Sequence, residues 1–151
     1  MRVHVLERSQ RLAAPPAEVF PFFANAQNLN AITPPSLRFR VVTPEPIVMR
    51  RGTLIQYRLG LHGFPVNWLT TIQEWDPPHR FVDVQLRGPY ALWHHTHDLR
   101  DDGAGGTVMT DTVRSALGFG PLGELAHRLL VRGDLERIFD FRQESVTQKF
   151  G

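Results

Sequence analysis

The sequence predicts an α+β fold: a curved antiparallel sheet of six to seven strands wrapped around a long C-terminal helix, with two short helices after the first strand. Three observations predict it. Most of residues 37–115 run in short stretches of alternating apolar and polar side chains, parted by turn residues. No proline follows Pro121, and Leu122, Leu125, Leu129, Leu135, Ile138, Phe139, Arg142 and Val146 then share one face at helical spacing. A helix of almost thirty residues is about 40 Å long at ~1.5 Å per residue. It needs an equally long apolar surface to cover, and the strands supply it around an internal cavity.

The elements follow in order. Residues 3–12 suit a first strand, with room for a bulge, and Ala14-Pro15-Pro16 stops it. Residues 17–24 place Val19, Phe20 and Phe23 on one helical face. Pro21 sits well inside, so this helix must be short or irregular. Residues 25–32 read as a second short helix, ended by Thr33-Pro34-Pro35. Strands are then expected over 37–42, 53–61, 64–75, 80–86, 90–99 and 107–115. The short gaps at His62-Gly63, Asp76-Pro77-Pro78, Arg87-Gly88-Pro89 and Gly103–Gly106 imply an antiparallel meander. Gly133 falls mid-helix and is expected to loosen or bend it.

At 151 residues, 42% hydrophobic and 21% charged, the chain is read as one globular domain over 1–151. Seventeen basic against fifteen acidic residues leave a net charge of +2. The arginines are interspersed with acids, as in Arg100-Asp101-Asp102, so no nucleic-acid partner is expected. The lack of cysteine excludes disulfides, thiolate nucleophiles and cysteine-based zinc sites. Charges interrupt the N-terminal apolar stretch, and no run approaches the ~18 apolar residues of a membrane span. A cytoplasmic protein with no stable membrane insertion is the expectation. The sequence gives no oligomeric state.

Several local words resemble one superfamily. They are Ala14-Pro15-Pro16-Ala17-Glu18-Val19-Phe20, Asn28-Leu29, Ile32-Thr33-Pro34-Pro35, and Trp75-Asp76-Pro77-Pro78-His79-Arg80-Phe81-Val82-Asp83. Gly88-Pro89-Tyr90, Trp93-His94-His95-Thr96-His97 and Phe119-Gly120-Pro121-Leu122-Gly123 continue the set. With the element order, they resemble the START-like (SRPBCC) helix-grip proteins, which include birch-pollen-allergen-like proteins, and within them a cyclase/dehydrase-like branch. The resemblance spans nearly the whole chain. It implies a cavity for a hydrophobic ligand, with His62-Gly63 and residues 25–35 near its mouth as candidate lids. It does not fix an activity, because most members of the branch have none assigned.

The richest chemistry lies in Trp93-His94-His95-Thr96-His97-Asp98. In a strand, Trp93, His95, His97 and Leu99 point one way and His94, Thr96 and Asp98 the other. Hairpin pairing sets Asp83 opposite His95, with Gln85 opposite Trp93, or else Asp83 opposite His97. Asp111 falls opposite His95 or His97 across the next turn. Two carboxylates therefore flank two histidines on one face. Three readings stay open: a buried network that rigidifies the sheet, the polar end of a ligand cavity, or a metal site built on the His-x-His pair. Nothing else in the sequence demands a metal, so neither metal nor cofactor is expected.

The remaining candidate ligand contacts are Tyr57, Leu59, Trp68, Thr70, Ile72, Leu129, Ile138 and Phe139. Their other reading is core packing between sheet and helix. Arg142 is expected to snorkel to the helix edge in preference to meeting a buried acid. No Gly-x-Ser-x-Gly elbow, phosphate-binding loop or His-Glu-x-x-His motif is present. Three functions follow: carriage or sequestration of a hydrophobic, cyclic or lipid-like molecule; acid–base catalysis on a polyketide-like substrate by His95 or His97 with Asp83 or Asp111; or a partner-binding module with a filled cavity.

Overall fold

Alternating exposure along β1 (His4–Leu12) shows how this sheet is built: every second side chain turns inward. A computed structural model describes residues 2–151. Six further strands follow: β2 (Arg40–Val41), β3 (Leu54–Leu61), β4 (Phe64–Asp76), β5 (Arg80–Arg87), β6 (Leu92–Asp101) and β7 (Thr107–Ala116). They form one sheet in the order β1-β7-β6-β5-β4-β3-β2, every pair antiparallel. β2 to β7 are thus a meander, and β1 returns to pair with the last strand.

Strand β2 is shorter than expected. Leu37 instead ends a 3-10 turn, Pro35–Leu37, and Arg38 takes a left-handed φ of 49° that breaks the strand approach. The β3–β4 turn matches its sequence signal: His62 and Gly63 have φ of 50° and 82°, the pair of positive values a tight hairpin requires.

Helix α1 (Pro16–Phe23) has Pro16 at its first position and tolerates Pro21 because it is only eight residues long. A 3-10 segment, Ala26–Ile32, follows, with Asn25 accepting a hydrogen bond from the Gln27 amide.

The C-terminal helical run consists of α2 (Gly120–Ala126), a π-helical turn (His127–Val131) and α3 (Arg132–Phe150). The irregularity sits in this turn, just before Gly133. It also corrects the expected apolar face. Leu135, Phe139, Arg142 and Val146 are buried, but Leu122 and Leu129 are 73% and 71% exposed. Upstream of Leu135 the inward residues are Val131, His127 and Gly123, each four positions apart. A stripe advancing by four follows a widened turn, so leucines placed for a regular helix rotate out to solvent. Among the described residues no helix is long and apolar enough to cross a membrane.

The core has two parts. One joins Val19, Phe20 and Phe23 of α1 to Phe81, Leu99, Met109 and Val146. The other joins Trp93 and Val113 to Leu135 and Phe139.

Candidate functional site

Between these two apolar clusters lies a five-residue polar network. The registers that create it are Asp83 opposite His95 and His97 opposite Asp111. The shortest contacts run to the diagonal neighbours, while the directly opposite His97 Nδ1 and Asp111 Oδ1 are 3.2 Å apart. His97 Nε2 is 2.6 Å from Asp83 Oδ2, and His95 Nε2 is 2.8 Å from Asp111 Oδ1. The directly opposite His95 Nδ1 and Asp83 Oδ2 are 3.8 Å apart, beyond a hydrogen bond. Diagonal neighbours on one sheet face are within reach of side chains this long, so each carboxylate meets both histidines, Asp83 closest to His97 and Asp111 closest to His95.

Arg142 completes the network from α3. Its Nε and Nη2 each donate to Asp111 at 3.2 Å, and Nη2 lies 3.1 Å from His97 Nδ1. The residue is 6% exposed, so the expected snorkelling is replaced by burial against an acid. Its guanidinium also stands over Phe23 and Phe139, at 5.3 and 6.0 Å from the ring centroids. The signal was present in the sequence: Arg142 shares the face of Leu135, Phe139 and Val146.

Apolar rings wall the network. His97 stacks on Phe81 at 3.9 Å and on His95 at 3.7 Å, while Phe139 meets His95 edge-on at 5.4 Å. Burial and the neighbouring His97 push His95 down to about 4, so it is neutral near pH 7. Burial also disfavours charge on His97, but its hydrogen bonds to Asp111 and Asp83 prevail and raise its pKa. Burial opposes ionisation of Asp111 too; Arg142 and the two histidines overcome it and hold the carboxyl well below its usual range. In Asp83 burial is likewise outweighed, first by the His97 hydrogen bond, and its pKa falls. The Arg142 guanidinium thus stands against two carboxylates whose pKa values are both lowered. Two stacked imidazoles whose pKa values are pushed in opposite directions, both bonded to carboxylates, are an arrangement able to hold and pass a proton.

Asp83, His95 and His97 also present one donor atom each within 4.8 Å of one another. A cation there would meet the Arg142 guanidinium already within hydrogen-bonding distance of His97. The donor set fits a metal by type, and its surrounding charge opposes one.

Elsewhere, a half-open groove of about 970 Å³ runs between the β3–β4 hairpin, the Pro35–Leu37 turn and α3. Leu59, Leu61, Phe64, Ile138 and Phe141 give it an apolar wall; Arg38, Arg40, Arg58 and Arg137 give it a cationic rim. His62 at the hairpin tip reaches Asp134 of α3, Nε2 to Oδ2 2.7 Å, across one end. None of the five network residues lines this groove. The two are neighbours through α3, where Ile138 borders the groove and Phe139 lies against His95.

The other sequence candidates divide accordingly. Leu59 and Ile138 line the groove. Thr70 and Ile72 are buried in the sheet, with the Thr70 hydroxyl donating to the Val84 carbonyl. Trp68 and Trp93 pack edge to face at 5.1 Å. Tyr57 lies against Phe39, and burial, aided by the Asp83 charge, raises its hydroxyl pKa. The Gln85 amide is engaged by both the carbonyl and the N–H of Tyr90, closing the β5–β6 turn. Leu129, expected on the helix's inner face, points to solvent because the π turn rotates it there. The arginine rim drew no sequence prediction, since arginines on edge strands and turns look like ordinary surface charge.

Among curated proteins none matches the sequence. Solved structures do match in shape. The Zhui aromatase/cyclase from a Streptomyces species has a TM-score of 0.76 at 17% identity, covering 98% of this chain and 93% of that one. Norcoclaurine synthase from Thalictrum, in complex with a transition-state analogue, gives 0.69 at 14% identity over 98% and 96%. A START superfamily protein from Mycobacterium smegmatis gives 0.66 at 12% identity over 96% and 98%. At these identities the likeness establishes the fold alone. The family described as polyketide cyclase/dehydrase and lipid transport matches residues 3–150, and the chain therefore belongs to that family, within the START-like helix-grip superfamily.

Proposed function

We propose that the protein binds a hydrophobic small molecule carrying an anionic or strongly polar group, in the groove between the β3–β4 hairpin and α3. The carrying observation is the pairing of an apolar wall with an arginine rim around about 970 Å³, a volume at the upper end of small-molecule sites. Arg40 sits directly opposite Arg58 in the β2–β3 ladder, both exposed. Like charges so placed destabilise a sheet, and a bound anion relieves them. The apolar wall takes the rings or chain of such a molecule, and guanidinium groups suit a carboxylate or phosphate.

A titration with anilinonaphthalene sulfonate, an apolar anion, tests this. Saturable binding is expected, weakened by Arg40→Gln with Arg58→Gln and blocked by Ile138→Trp. Equal affinity in all three proteins sinks the reading.

A second reading, acid–base catalysis, is favoured by one observation: the network holds a neutral His95 beside a raised-pKa His97. It ranks below binding because no member of the network lines the groove. A substrate would have to displace Ile138 and Phe139 to touch His95. Turnover that disappears in His97→Ala while ligand affinity is kept would reverse this order.

A further inference from the structure

Away from the groove and the buried network, a second group of ligating side chains gathers where β1 meets α2. His4 Nε2 lies 2.9 and 3.1 Å from the two carboxylate oxygens of Glu124. The His4 and His127 rings stack with centroids 3.5 Å apart. One donor atom from each of the three residues falls within 4.8 Å of the others. Glu124 and His127 stand three positions apart on one helical run and so share a face. His4 arrives from the opposite end of the chain.

Two independent observations point to a missing partner. His127 is 6% exposed, and its Nδ1 is sealed from solvent with no hydrogen bond; such orphans are rare in native interiors. The helix also widens into its π turn at His127, an irregularity frequent at functional sites. The cluster borders a groove of about 520 Å³ that gives solutes access.

We propose that His4, Glu124 and His127 bind a divalent transition-metal ion of the zinc class, with a fourth coordination position open to this groove. Two imidazoles and a carboxylate suit zinc or cobalt better than magnesium or calcium, which prefer all-oxygen shells. Donors around a tetrahedral ion at ~2.0–2.1 Å stand about 3.3 Å apart, close to the His4–Glu124 spacing already present. One rearrangement is required. Lone pairs in two parallel stacked rings cannot both aim at one ion, so a ring must turn. His127 is fixed in the interior, whereas His4 opens β1 and is partly exposed, so His4 moves. Arg2, Arg128 and Arg132 border the groove and lower its affinity for cations, against Glu7 and Glu136. Arg132 already pairs with Glu136 at 3.5 Å. The bound ion would clip the first strand to the C-terminal helical run.

The test uses the untagged protein, stripped with chelator and titrated with cobalt(II), then zinc(II). The expected result is one equivalent of cobalt giving the visible absorption of a four-coordinate site, displaced by zinc, with a zinc-dependent rise in Tm. His4→Gln and Glu124→Gln, both at partly exposed positions, should keep the wild-type circular dichroism spectrum and each weaken binding at least about tenfold. Three outcomes overturn the proposal: no visible band and no zinc-dependent Tm shift; equal cobalt affinity in both variants; or binding that survives both and is lost in His95→Gln, which would assign the metal to the other cluster.

Discussion

Replacing Arg142 with methionine removes the one permanent cation from the buried network while keeping an unbranched side chain of similar length. Asp111 loses two donors at 3.2 Å and keeps only its histidine contacts. The network loses one full positive charge, which favours protonation of its histidines. His95 shares in that gain, although its ring lies 3.7 Å from His97 and charge on both rings would repel. Removing one partner from a buried ion pair costs about 3–5 kcal/mol. For a chain of this size each kcal/mol lowers Tm by about 2–4 °C, giving a drop of about 6–20 °C. Thermal unfolding followed by circular dichroism measures it. Proton NMR of the imidazole Cε1–H reports the charge shift: the His95 midpoint, about 4 in the native protein, should rise in Arg142→Met. Adding Asp111→Asn removes the stranded carboxylate and should recover part of the loss. A single variant within about 1 kcal/mol of wild type, below the range for breaking a buried pair, with an unmoved His95 midpoint, refutes the role assigned to the Arg142–Asp111 pair.

Three further outcomes follow from the same geometry. Between pH ~6.5 and about 4 the unfolded chain binds a proton at its counterpart of His95 that the native state refuses; stability therefore falls as pH drops through that window, by about 3 kcal/mol from this residue alone. His97 has the opposite sign, its raised pKa giving stability that is lost as pH climbs through it, so urea midpoints should decline on both sides of a maximum near neutrality, and a monotonic rise through that region contradicts the assignment. Gly123→Ala places a Cβ 1.8 Å from the Gly118 carbonyl oxygen, so the backbone must move and destabilisation of about 1–3 kcal/mol or more is expected in urea. His62→Ala cuts the link from hairpin tip to Asp134; a half-exposed pair of this kind contributes at most about 1 kcal/mol, so Tm should barely change while stopped-flow release of a groove-bound probe becomes faster.

Strand parity made much of the network legible. Side chains in a strand repeat every two residues and hairpins fix which strands meet, so Asp83, His95, His97 and Asp111 had to share a face whichever register held. Which of them bond was not legible. Parity assigns a shared face, whereas the shortest contacts are diagonal ones, His97 to Asp83 and His95 to Asp111, and depend on the twist of the whole sheet. Arg142 shows a second limit: its face could be read, but its depth depends on how far the helix sinks between Phe23 and Phe139. The π turn is a third. One widened turn carried Leu122 and Leu129 outward and brought Gly123 and His127 inward, and no local residue preference announces it. The His4–Glu124 contact spans 120 positions and carries no periodic signal at all.

These limits share a cause that bears on function. The network lies between two apolar clusters, and each of its charges is balanced by a residue from a different element: Asp83 from β5, the histidines from β6, Asp111 from β7 and Arg142 from α3. A balance reached that way is a condition on docking, because α3 cannot leave the sheet without parting Arg142 from Asp111. The groove lies on the same helix, one residue from the ring that walls His95. A ligand that presses Ile138 aside must move Phe139 with it, and so couples its own binding to the protonation of the histidine pair. Measured proton uptake or release on saturating the groove, near pH 6.5 and in two buffers of different ionisation enthalpy, is the direct consequence. Binding with no proton exchange would leave the network as a purely structural clamp, with the groove acting alone.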